Sequence, residues 1–89
     1  MPTPFSTKQF RKDAELAKRR GKPTDKMQAA MDALIAGETL DHKYRDHPLI
    51  GNFVGRRECH LEPDWLLVYK IAGHAIIFER TGTHADLFD

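Results

Sequence analysis

Residues 53–80, FVGRRECHLEPDWLLVYKIAGHAIIFER, decide the fold. Apolar and polar residues alternate here with a period of two, the mark of half-buried strands. Phe53, Cys59 and Leu61 fall on one face of a first strand, and Arg56, Glu58 and His60 on the other. Glu62-Pro63-Asp64-Trp65 reads as a tight turn with proline at its second position. Trp65 to Ile71 is apolar on both faces, as a strand in mid-sheet requires. Ala72 and Gly73 turn the chain again, and His74 to Arg80 form a last strand, with Ile76 and Phe78 opposed to Ala75, Ile77 and Glu79. Three strands joined by tight turns make an antiparallel meander.

Upstream the period changes to that of a helix. Ser6 and Gln9 have the spacing of a capping box, Phe10, Ala14 and Ala17 recur at helical spacing, and Gly21 follows Lys18, Arg19 and Arg20 as a stop. This predicts a helix over 7–20. Asp25 and Gln28 repeat the capping signal, Met27, Ala30, Met31, Leu34 and Ile35 form a core-facing stripe, and Gly37 ends the run. The short link through Lys22 and Pro23 makes the two helices an antiparallel hairpin. Residues 37–51 are a long connection without a period, a feature often functional in small domains. Thr83 and Asp86 could cap one final helical turn ending near Phe88, and residues 2–5 could add a short strand. The architecture is α+β, a helical hairpin packed on an antiparallel sheet.

The 89 residues fit a single domain, 1–89, whose core is modest. Forty per cent hydrophobic and 30% charged residues speak against disorder of the whole chain. No apolar run is long enough to span a bilayer, and the start lacks the pattern of a secretory signal. Cys59 is the sole cysteine, so no internal disulfide can form. The expected compartment is the cytoplasm. The net charge of +1 is unevenly spread. Residues 1–22 hold Lys8, Arg11, Lys12, Lys18, Arg19, Arg20 and Lys22 against Asp13 and Glu15, which is +5 and leaves −4 for the remainder. Such a basic end suits a nucleic-acid contact, with a merely solvated helix face as the alternative.

Five histidines are many for so short a chain. His60 ends a strand, Asp64 lies in the turn that follows, His84 follows the last strand, and His47 lies in the long connection. The turn necessarily brings His60 close to Asp64, and His84 is geometrically free to join them. An ordinary imidazole pKa of about 6.5 leaves both forms populated near neutral pH. Cleavage of RNA by its own 2′-hydroxyl needs a base, a group that stabilises the phosphorane, and an acid for the leaving 5′-oxygen. Histidines, a carboxylate and arginines can supply all three without a metal. Arg56, Arg57 and Arg80 are candidates for the phosphate, while His42 and His74 read as surface residues. A metal held by His47, His60, Asp64 and His84 is conceivable. The absence of an HExxH or Cys-pair spacing favours a site with no metal and no cofactor. Cys59 points away from His60 and reads as a small buried hydrophobe.

Three blocks then stand out: Asp46-His47-Pro48-Leu49 with Gly51; Cys59-His60-Leu61-Glu62-Pro63-Asp64-Trp65 followed by Tyr69-Lys70; and Phe78-Glu79-Arg80-Thr81-Gly82-Thr83-His84-Ala85 with Leu87-Phe88. Together they resemble the YafQ toxins of the RelE/ParE superfamily, in order and spacing, from about residue 40 onward. The resemblance implies a microbial-RNase-like fold of order β-α-α-β-β-β. It implies a ribosome-dependent endoribonuclease cutting translated mRNA, whose partners are the ribosome, its RNA and mRNA. It also implies a cognate antitoxin, commonly with a ribbon-helix-helix DNA-binding part, through which the complex binds its operator. By the same resemblance His47, His60, Asp64 and His84 are the catalytic set. Arg80 suits the scissile phosphate, and Phe88 suits substrate stacking or a plug for the last turn. Lys18, Arg19 and Arg20 join Arg56 and Arg57 as further RNA contacts. Asp64 and His84 would form the proton-transfer core, with His60 and His47 orienting or stabilising the phosphate and the acid and base roles exchangeable. The chain departs from the family at Asp86, in place of a small apolar residue. That carboxylate could either act on His84 or cap the final turn. Two other classes stay open: a ParE-like toxin acting on DNA gyrase, and a module that binds RNA or antitoxin without catalysis.

Overall fold

The computed structural model of the chain describes residues 2–88. Its elements run β1 (Thr3–Ser6), α1 (Lys8–Arg19), α2 (Thr24–Ile35), β2 (His47–Pro48), β3 (Arg57–Glu62), β4 (Trp65–Ala72), β5 (Ala75–Gly82) and α3 (His84–Phe88), with 3-10 turns at His42–Tyr44 and Gly51–Phe53. The sheet has five strands in the order β1-β5-β4-β3-β2. The meander β3-β4-β5 is its centre. β1 adds to β5 in parallel, and the two-residue β2 pairs antiparallel with β3. The sheet is therefore mixed, and β2 is a strand that the pattern of residues 37–51 does not announce.

Thr7 turns the chain from β1 into α1. Its hydroxyl accepts the Phe10 N–H at 2.9 Å and donates to the Glu79 carbonyl of β5 at 2.9 Å. The N-cap is thus Thr7 and not Ser6. Ser6 pairs opposite Phe78 in the sheet, and Gln9 bonds Asp13 instead of closing a capping box. α2 likewise begins after Pro23 with no side-chain cap bond. Asp25 lies inside its first turn, where a negative charge meets the positive end of the helix dipole. Gln28 bonds Asp32.

Both helices cover one face of the sheet. Phe10, Ala17, Met27, Ala30 and Leu34 pack against Cys59, Leu61, Trp65, Leu67, Tyr69, Ile76 and Phe78, with Met31 and Ile35 at the margin. The methionine stripe is therefore core.

The first strand starts later than the alternation suggests. Gly51 and Gly55 take φ of 68° and 90°, a left-handed region open to glycine, and bend the chain through the 51–53 turn. Phe53 ends half-exposed outside the strand. Residues paired across strands share a face, so the registers define two rows on the side away from the helices. One is Glu58, Val68 and Arg80, and the other is His60, Leu66 and Gly82. Leu66 and Val68 are buried and floor this second face.

Candidate active site

The helix-free face gathers the titratable groups from four segments. β2 pairs His47 directly with Glu58, β3 carries Glu58 and His60, the β3–β4 turn carries Asp64, and α3 opens on His84. Their rings form a line: the His47 and His60 centroids are 6.0 Å apart, those of His60 and His84 5.9 Å. All four histidine and aspartate positions singled out from the sequence are thus brought to one surface.

Asp64 holds His84 twice. Its Oδ1 accepts the backbone N–H of His84 at 2.9 Å and lies 2.7 Å from the ring Nδ1. These hydrogen bonds, the backbone one first, hold the Asp64 carboxyl below the usual carboxylate range. The carboxylate favours the tautomer with the proton on Nδ1, which leaves Nε2 to meet a substrate. Both side chains are more than half exposed, so an RNA strand can reach them.

Glu58 was read from the alternation as an outward polar residue, yet it is 6% exposed. Its Oε2 lies 3.0 Å from His47 Nε2 and 3.6 Å from His60 Nε2. One buried carboxylate thus serves two imidazoles. His47 is fixed from its other side by the Arg45 carbonyl, 2.5 Å from Nδ1. Arg45 adopts a left-handed φ of 48°, unusual for a non-glycine residue, as the chain enters β2. The donors of His47, Glu58 and His60 lie within 4.8 Å of one another, and two imidazoles with one carboxylate could hold a transition-metal ion. That set differs from the one the sequence suggested, because Glu58 takes the place of Asp64 and His84.

The arginines divide. Arg80 shares the row of Glu58 and is anchored through Nε and Nη2 on the buried Asp13 at 2.7 and 3.4 Å. Arg56 pairs with Glu79. Both line an open groove of about 410 Å³ together with Phe53 and Phe88. Phe88 meets Phe53 edge to face at 5.1 Å and lies 6.4 Å from the His84 ring. Arg57 is not brought to the site. It alternates with Glu58 onto the helix side, where its Nε lies 3.3 Å from Asp46, a carboxylate that also accepts the Tyr69 hydroxyl at 2.6 Å. Lys18 and Arg19 are exposed in the last turn of α1, whereas Arg20 is drawn into a 2.7 Å bond with Asp86. Asp86 does cap the last turn, exchanging hydrogen bonds with Thr83. Cys59 is buried on the helix side, and burial pushes its thiol up to about 12. Such a thiol is no nucleophile.

This small α+β domain with its line of imidazoles and carboxylates belongs to the class of bacterial type II toxin–antitoxin toxins, as its family match shows. The family model described as "Bacterial toxin of type II toxin-antitoxin system, YafQ" matches residues 3–89, and the chain belongs to the YafQ family. It is 47% identical over 81 residues to the mRNA interferase toxin YafQ of Escherichia coli K12, covering 90% of this chain and 88% of that one. Its fold superposes with a TM-score of 0.94 on YafQ in the E. coli DinJ–YafQ complex, at 42% identity and over 100% of both chains. A metal-bound toxin from Helicobacter pylori is similar too, with a TM-score of 0.92 and 37% identity over 99% of this chain and 100% of that one.

Proposed function

We propose that this protein is an mRNA endoribonuclease acting on translated messages at the ribosome, by acid–base chemistry that needs no metal. One observation carries the mechanism. His60 and His84 stand side by side with ring centroids 5.9 Å apart, and each is backed by its own carboxylate, Glu58 and Asp64. Two imidazoles so close together can both reach one phosphodiester laid across them. One imidazole takes the 2′-hydroxyl proton while the other protonates the leaving 5′-oxygen, as in-line transfer requires. His47, held by Glu58, and the Arg80 guanidinium offset the charge of the phosphorane. A base of the message stacks against Phe88 in the groove shared with Arg56. His47, His60, Asp64 and His84 are the catalytic set in this reading, and Glu58 joins them. The exposed Lys18 and Arg19 meet ribosomal RNA. In the cytoplasm a cognate antitoxin keeps the toxin inactive and ties it to operator DNA.

The test is cleavage in a translating extract, with message ends mapped by primer extension. In-frame cuts that persist in EDTA are expected, and His84→Ala should reduce them by at least about 10²-fold. Cuts lost to the chelator and restored by a transition metal would assign His47, Glu58 and His60 to a metal instead. Equal cutting of naked RNA would overturn ribosome dependence.

A further inference from the structure

We propose that Arg20, Asp86 and Gly82 form a clasp that seats α3 on the sheet and so positions His84 and Phe88 for RNA cleavage. The inference rests on the reading of His84 as catalytic. α3 has five residues, none of them buried. A helix of that length does not persist in water on its own account, so tertiary bonds must hold it. Asp64 holds its first residue. Its remaining turn is held by Asp86, which faces three ways. Its Oδ2 accepts the Thr83 N–H at 3.0 Å and its N–H donates to the Thr83 hydroxyl at 3.1 Å, closing the first turn. The same Oδ2 takes Arg20 Nη1 at 2.7 Å, and Oδ1 lies 3.5 Å from Nη2. Arg20 is the residue that ends α1, so the pair spans from the helical layer to the element bearing His84.

Gly82 makes room for the clasp. A Cβ there would come within 3.0 Å of both Cβ and Oδ2 of Asp86, and within 3.3 Å of Leu87 Cδ2. The Asp86 side chain lies directly over this backbone, and a Cβ there would make it give by a few tenths of an ångström. Gly82 is also the end of the row His60, Leu66, Gly82, so the shift would act where α3 leaves the catalytic face. None of the three touches the reacting atoms. They are positioning residues, and a displacement of the order of 1 Å at a reacting group costs up to about 10²-fold in rate.

The experiment is single-turnover cleavage of a programmed ribosome by the full chain, with amide exchange at Asp86 and Leu87 followed in parallel. Asp86→Ala and Gly82→Ala should each lower the rate at saturating ribosomes about tenfold or more. The half-saturating ribosome concentration should stay within about twofold, and α3 amide protection should be lost while β4 keeps its own. The exchanged pair, Arg20→Asp with Asp86→Arg, should recover at least about threefold over the worse single variant. Recovery is partial because an arginine cannot cap Thr83. A purely structural role would lower protection throughout the sheet and show no recovery. His84→Ala is run alongside. Undiminished cleavage there refutes the reading of the site. Loss there, with wild-type rates in Asp86→Ala and Gly82→Ala, refutes the clasp alone.

Discussion

Glu58 separates what a local pattern reveals from what the fold creates. Strict alternation along β3 places it beside His60 on the outer face, where a glutamate reads as solvated. It is buried because β2, a two-residue strand from the unpatterned connection, lays His47 over it. No spacing within residues 53–62 announces that return, so the carboxylate behind two imidazoles was invisible in the sequence. His60 and Asp64 were visible because one turn joins them. Glu58→Gln keeps the shape and removes the charge, and should lower single-turnover cleavage by about 10²-fold with a folded protein by circular dichroism. Cys59, one position on, behaves oppositely. With its thiol pushed up to about 12 by burial, it should resist iodoacetamide at pH 8 in the native state and label rapidly in denaturant.

Among the elements, α3 is the one whose attachment depends on ionisation. Hydrogen bonds from His84 hold Asp64 below the ordinary carboxylate range, and the Arg20 hydrogen bond, with the Thr83 N–H, holds Asp86 at about 2. Both values are depressed in the folded state. Their contribution is therefore complete above the unfolded value near 3.9 and lost as pH falls below it, for Asp86 as it falls towards about 2. α3 should detach from the sheet at acid pH before the core melts, seen as early loss of the Leu87 and Asp86 amides while those of β4 persist. The sheet–helix core answers to a different term. Phe10, 4% exposed and tilted against Phe78 with ring centroids 5.9 Å apart, should cost about 3–5 kcal/mol when replaced by alanine. These helices and the meander were legible because burial imposes a period on them. Their ends were not: Thr7 displaced Ser6 as cap because its hydroxyl also reaches β5, a contact 72 residues distant in sequence.

At the scale of the molecule, the basic first quarter of the chain does not form one uniform patch. Arg20 spends its charge on Asp86, and Lys22 pairs with Glu62 at 3.1 Å. Lys18 and Arg19 lie exposed in the last turn of α1. Neutralising those two should weaken ribosome binding and flatten the dependence of log affinity on log salt by roughly one to two units. Unchanged affinity and slope would assign them to a solvated helix face. The charge asymmetry was countable in the sequence, but which charges have intramolecular partners is settled only by tertiary contacts.

The parallel pairing of β1 with β5 links residues 3–6 to residues 75–78, and among the described residues β5 is the strand bonded to β1. Antiparallel hairpins can close as they emerge, but this edge has nothing to zip onto until residues 75–78 have been made as well. Closing the sheet at β1 is therefore a long-range step that comes after the local hairpins of the meander.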